Sequence, residues 1–204
     1  MAVEYWSYGA RGKRSDMQDE HGAGSCPHTA WLVFFVLDGH GGHGVVNALQ
    51  PQMTNSIVSA LQRVPLNKTT NSYDEAKLAA QLQMAVVGLD TRLYAELRGA
   101  NRNSGSTLLV VVFNPLTRQL LQVNVGDSRS VVADLDTGRI VSVTEDHTLK
   151  RQDERERVTS AGGTIVKNRV AGILSPPRAM GDMGVGLKRL PLTSSSSCSS
   201  ARSR

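Results

Sequence analysis

The sequence predicts an α+β domain organised around antiparallel sheet. Segments with a two-residue apolar period, or unbroken apolar runs, crowd the middle of the chain and are joined by tight turns. Segments with helical period lie before and after them, and strand and helix do not alternate as they would in a βαβ fold. At 204 residues and 40% hydrophobic content, the chain can bury one proper core and still leave a tail.

The first expected strand covers 31–37, WLVFFVL, an aromatic and β-branched run that stops at Asp38 and Gly39. Residues 43–61 carry an apolar stripe of Val45, Val46, Leu49, Met53, Ile57, Val58 and Leu61, a helix that Pro51 should kink or split. LNKTTNS at 66–72 is a polar loop. Ser72 and Glu75 have capping-box spacing and open the clearest helix, with Leu78, Leu82, Val86, Leu89, Leu93 and Leu97 on one face. Beyond 99–105 the period changes. Residues 107–113 and 120–125 form a hairpin about the turn at 114–117, and 130–133 pairs with 140–143 about 136–138. Residues 148–161 read as a charged helix stopped by Gly162 and Gly163, and 164–166 with 169–171 as a last hairpin. From Met183 the Ser-rich sequence MGVGLKRLPLTSSSSCSSARSR has neither period, so 183–204 reads as a disordered Ser/Arg-rich tail behind a domain of residues 1–182.

Charge and cysteine usage narrow the function classes. The net charge of +5 is concentrated in the tail, which holds Lys188, Arg189, Arg202 and Arg204 and no acid, while the body is close to neutral. No nucleic-acid partner is expected, because the body is close to neutral and the short tail has four positive charges and no aromatic side chain for stacking. Cys26 and Cys198, far apart, exclude a disulfide framework and point to a reducing compartment. The longest apolar run, 30–37, is too short to span a bilayer, and the opening MAVEYWSYGARGKRSD has no apolar signal core. An intracellular protein, cytoplasmic or nuclear, without a membrane partner, is expected.

Four constellations could carry chemistry. In VLDGHGGHG at 36–44 a buried strand delivers Asp38 to its end, where glycines allow close approach. Asp38 offers a hard oxygen, the Gly39 carbonyl could supply another, and His40 stands beside them, a set better suited to Mg²⁺ or Mn²⁺ than to zinc. In GKRSDMQDEH at 12–21, Arg14 precedes Asp16, Asp19 and Glu20, so a guanidinium could bind a phosphate that a metal also contacts. In NVGDSRSVV at 124–132, Asp127 sits where a strand leaves the sheet. SGSTLLVVV at 104–112 reads as architecture, and His21 and His147, lacking partners at metal spacing, read as structural or surface residues.

In chain order these pieces are Arg14 with Met17, Gln18 and Asp19; VLDGHGG at 36–42; SGST at 104–107; VGDSR at 125–129; EDH at 145–147; Glu154 and Arg157 with AGG at 161–163; and RAMGD at 178–182. The series resembles the metal-dependent serine/threonine protein phosphatases, the PPM or type 2C family, over roughly residues 5–182. The resemblance implies an α-β-β-α sandwich, two antiparallel sheets flanked by helices, and hydrolysis of phosphoserine and phosphothreonine in proteins by a water activated between two Mg²⁺ or Mn²⁺ ions. By position Asp38 corresponds to the carboxylate that bridges both metals and Gly39 to a carbonyl ligand. Arg14 corresponds to the phosphate-binding arginine and His40 to the histidine that protonates the leaving oxygen. Asp19 corresponds to an acidic residue behind the ligands, and Asp127 to a ligand of a weaker, additional metal.

Two departures follow from the same resemblance. Gln18 stands where many members have Glu and brings no negative charge. The match stops near Asp182, whereas the family continues and supplies two further metal-binding aspartates; the Ser/Arg tail has no carboxylate to replace them. The sandwich is therefore expected to be incomplete at the C-terminus, metal binding weak and turnover slow. The alternative is a catalytically inactive phosphatase fold that binds phosphoproteins or regulates them. Either way the expected partners are phosphorylated proteins and the expected state is a monomer.

Overall fold

The computed structural model describes residues 3–97, 99 and 103–183, and the main chain of 199–202. Its elements in order are β1 (Glu20–Ser25), β2 (Leu32–Leu37), β3 (Gly39–His40), α1 (Gly44–Gln62), α2 (Glu75–Glu96), β4 (Gly105–Ser106), β5 (Leu108–Asn114), β6 (Gln119–Val125), β7 (Val131–Asp134), β8 (Arg139–Val143), α3 (Gln152–Ser160), β9 (Ile165–Val166), β10 (Arg169–Val170), β11 (Met180–Gly181) and β12 (Ser199–Arg202). The main sheet runs β1-β2-β5-β6-β12, with every neighbouring pair antiparallel. The expected α+β class with antiparallel sheet is what the chain adopts.

Alternation along the strands puts Val33, Phe35, Leu37, Val110, Val112, Leu121 and Val123 on one face. That face packs against Leu49, Met53, Ile57 and Leu61 of α1 and Leu78, Leu82, Leu89 and Leu93 of α2. Each such side chain, fully buried, contributes about 1.5–3 kcal/mol relative to exposure. On the opposite face Gln122 of β6 donates to Ser130 Oγ at 2.9 Å and accepts from Ser142 Oγ at 3.0 Å, which seats the β7–β8 hairpin there. That hairpin is a separate two-stranded sheet. A satellite core of Leu149, Val158 and Val170 sits under α3.

Two local expectations are corrected. α1 is not split: it runs unbroken through Pro51. Pro51 and Asn47 are both exposed, so the carbonyl that loses its donor is open to water. The cap of α2 is Asp74, whose carboxylate accepts from the Lys77 N–H at 3.1 Å, while Ser72 is taken up in a bridge to Asn67. Ser199–Arg202, within the segment 183–204, pairs with Gln119–Gln122 along β6, whose edge presents unpaired main-chain groups that an extended segment can satisfy. Residues 184–198 and 203–204 of that segment lie outside the described residues.

Candidate active site

Three short strands converge at the carboxyl end of β2. β3 pairs with β4, and β4 with β11, setting His40 opposite Gly105 and Gly105 opposite Gly181. The residue after β11 is Asp182, and its Oδ1 lies 2.9 Å from His40 Nε2. Gly105 is what lets them meet, since a methyl there would overlap both Asp182 Oδ1 and His40 Nε2. The Asp182 N–H donates to the Ser104 carbonyl at 3.0 Å, and the Gly181 N–H donates to buried Asp90 of α2 at 3.0 Å. Asp182 Oδ2 is buried with no hydrogen-bond partner among the described residues.

Asp38 links β2 directly to β3. Its N–H donates to Thr107 Oγ1 at 3.1 Å, and its carbonyl accepts the Thr107 N–H at 2.9 Å. Thr107 Oγ1 in turn lies 2.7 Å from Ser128 Oγ, which ties Asp38 to the turn carrying Asp127. Burial, then the negative charges of Asp19 and Asp127, hold the Asp38 carboxyl above its ordinary pKa, and Asp19 is within hydrogen-bonding reach of it. Burial draws the His40 imidazole down, but the hydrogen bond to Asp182 and the charges of Asp182, Asp38 and Asp127 outweigh it and raise its pKa. His40, Asp38, Asp19 and Asp127 therefore form one electrostatic cluster.

The N-terminal loop reaches the same end of the molecule. Asp16 Oδ2 lies 2.6 Å from His43 Nε2, just before α1, and also accepts from Gln18 Nε2 at 3.4 Å. These hydrogen bonds hold Asp16 below the usual carboxylate range. The Gln18 side chain is thus turned to Asp16, and its main-chain carbonyl lies against Gly39. Arg14 is exposed on this loop. His147 is a structural residue: it is buried, its Nδ1 accepts the Gly126 N–H at 3.2 Å, and its own N–H donates to the Gly126 carbonyl at 2.8 Å. His21 is exposed on β1.

A buried ionic tie holds the segment that delivers Asp182. Glu154 of α3 is fully buried and accepts from Arg178 Nε at 2.8 Å and from Arg157 Nε at 3.0 Å. Arg157 also donates to the Pro177 carbonyl at 2.6 Å. Burial alone would raise the Glu154 pKa, but the guanidiniums of Arg178 and Arg157 outweigh it and lower it.

The donors fit a hard divalent cation in kind. Crowded carboxylates with a raised pKa and an orphaned buried carboxylate oxygen at Asp182 are what a cation relieves. They fall short of a closed site in number, since among the described residues no three His, Cys, Asp or Glu side chains converge on one ion.

A family model described as Protein phosphatase 2C matches residues 4–195. The chain belongs to that family. Its curated relatives include "Probable protein phosphatase 1N" of Homo sapiens, 34% identical over 183 residues, covering 88% of this chain and 40% of the relative. "Probable protein phosphatase 2C 76" of Arabidopsis thaliana is 31% identical over 182 residues, covering 84% and 39%. Among solved structures, a sex-determining protein of C. elegans superposes with a TM-score of 0.67 at 24% identity, covering 84% of this chain and 42% of that one. A serine-threonine phosphatase 2C from Toxoplasma gondii gives 0.65 at 18% identity, covering 85% and 66%. The type 2C chain therefore spans about two-fifths of the length of the curated relatives it matches.

In the sequence Gly105, Glu154, Arg157, Arg178 and Asp182 appear as motif residues without an assigned role, and Asp90 does not stand out at all; in the fold they surround the His40–Asp182 pair or hold the segment that delivers it. The available signal was the RAMGD string itself, an arginine and an aspartate bracketing a glycine. Sequence alone could not say that its aspartate meets the histidine 142 positions earlier.

Proposed function

We propose that this chain carries the centre of a metal-dependent protein phosphatase that hydrolyses phosphoserine and phosphothreonine in proteins. The supporting observation is the His40–Asp182 pair in one electrostatic cluster with the Asp38 carboxyl, which Asp19 and Asp127 crowd. Asp38, Asp19 and the Gly39 carbonyl would hold the first divalent cation, Mg²⁺ or Mn²⁺, with Asp127 toward an additional one and Gln18 contributing only a neutral amide. Such an ion supplies phosphoryl charge neutralisation and an acidified water.

The chain's own residues would do the rest. With Nε2 engaged by Asp182, His40 presents Nδ1 to the leaving serine or threonine oxygen, and its raised pKa keeps a proton there to donate. Arg14, exposed on the loop pinned by Asp16 and His43, would bind the phosphoryl oxygens. An intracellular monomer acting on phosphorylated proteins goes with this reading. The buried free thiol of Cys26 accords with a reducing setting, and among the described residues no helix is long and apolar enough to cross a membrane.

A second reading, a phosphatase fold that binds phosphoproteins without turning them over, is favoured by one observation, the lack of a three-ligand cluster among the described residues. One assay separates the two. Purified protein is given a phosphothreonine peptide with Mn²⁺, beside Asp38→Asn. Phosphate release that vanishes in the variant supports the enzyme, and equal background release in both supports the inactive fold.

A further inference from the structure

α1 and α2 pack as an antiparallel pair, as the cross-helix contacts of Arg63 with Gln81 and of Arg92 with Ser56 require. Between their outer faces runs a groove of about 340 Å³ lined by Asn55, Ser56, Ser59 and Gly88, with Arg63 and Arg92 at its ends. We propose that this groove docks a short acidic peptide segment of a partner protein, its carboxylates set against Arg63 and Arg92.

The charge pattern carries the inference. α1 contains no charged residue at all. In α2 the charged residue between Lys77 and Arg92 is Asp90, and it is buried, facing the Gly181 N–H. Among the described residues that line it the groove therefore holds two guanidiniums and no acid, and the next carboxylate along α2, Glu96, stands one turn beyond Arg92. Arg92 donates to Gln52 Oε1 at 3.4 Å and to Ser56 Oγ at 3.2 Å, and Arg63 to Gln81 Oε1 at 3.4 Å. These acceptors are neutral and the bonds long, and among the described residues neither guanidinium has a carboxylate within salt-bridge distance. Arginine forks of this kind are strongly matched by carboxylates.

Shape selects an extended chain. Ser59, Ala85 and Gly88 keep the floor low, so a peptide main chain can lie between the helices, with Asn55, Ser56 and Ser59 offering hydrogen bonds. Met84 is 60% exposed at the rim and gives an adaptable apolar contact. At 1.5 Å per helical residue, Gln81 and Arg92 are about 16 Å apart along α2, the span of about five residues of extended peptide. The guanidiniums are thus too far apart to close on one small anion. Among the described residues that line it, the groove has no aromatic side chain for stacking bases. It also begins about 16 Å along α1 from the site end, so the proposal stands apart from the phosphatase reading.

The test uses a fluorescein-labelled peptide, Glu-Ala-Ser-Ser-Ala-Glu, whose acids are five positions apart, titrated by anisotropy at low salt. The full chain should bind it, Arg63→Glu with Arg92→Glu should weaken binding about tenfold or more, and Arg63→Gln with Arg92→Gln by less. Equal affinity for chain and variants, or no binding to the chain, overturns the proposal, as does complete displacement by equimolar inorganic phosphate. Amide-shift mapping on the unaltered chain guards against a misfolded variant: shifts at Ser56, Ser59 and Gly88 support the groove, and shifts confined to other residues overturn it.

Discussion

His40 Nε2 and Asp182 Oδ1 meet at 2.9 Å, although 142 sequence positions separate them. Nothing but β4 lies between β3 and β11, so the contact depends on a glycine at 105. Gly105→Ala should leave the fold intact, because the atoms in its way are the ends of two side chains. It should nonetheless separate the pair. Asp182→Asn keeps the shape and removes the charge that favours the protonated imidazole. If the chain is an active phosphatase, kcat should fall about tenfold in Asp182→Asn with KM unchanged. A wild-type kcat in both variants would show that the pair plays no part in turnover.

Asp38 is the second point of leverage. Burial and the charges of Asp19 and Asp127 raise its pKa in the fold, so its ionised form costs stability at neutral pH, and protonation or neutral replacement recovers it. Asp38→Asn should raise the melting temperature of the metal-free protein. Mn²⁺ at ten times its Kd should stabilise the unaltered chain by about 1.4 kcal/mol, and Asp38→Asn should lose that response. Calorimetry with and without Mn²⁺ reads both effects, and an unchanged Mn²⁺ response in the variant would remove Asp38 from the ligand set.

Glu154→Gln should destabilise the chain by about 3 kcal/mol, since it strands two guanidiniums in a buried setting. The pH dependence has a definite sign. The folded-state pKa lies below the ordinary 4.5, so the carboxylate contributes fully above that value and its contribution is lost as pH falls through the lower, folded-state one. Urea midpoints of chain and variant should therefore converge in acid. A gap that stays constant from neutral pH to pH 3 would contradict the assignment.

A chain ending at residue 198 would uncover the β6 edge that Ser199–Arg202 now fills. Exposed edges invite pairing with other molecules. Size-exclusion chromatography should show larger species growing with concentration, and an elution profile identical to that of the full chain would mean that the edge is protected otherwise.

Much of this architecture was legible in the residues. Leu78, Leu82, Val86, Leu89, Leu93 and Leu97 share the expected face, the first five buried and Leu97 partly buried against the same core, because a 3.6-residue period leaves little choice of which side faces inward. The β5–β6 hairpin was equally plain. β1 was not, because EHGAGS carries almost no apolar signal. Its glycines are spaces: Phe35 fills the position beside Gly22, and Thr54 the one beside Gly24. Asp38 and His40 stood out because glycines follow a buried strand. Asp182 did not, since its role comes from strand order, which no local window contains.

The four-residue strand that closes the main sheet has an implication for drift. A ladder of this kind is held by amide and carbonyl groups that every amino acid but proline supplies in full. Residues 199–202 can therefore change their letters freely while the seam survives, whereas one methyl at position 105 parts an acid from its histidine. Mutational tolerance in this protein should be widest where the backbone makes the bond and narrowest where the absence of a side chain does.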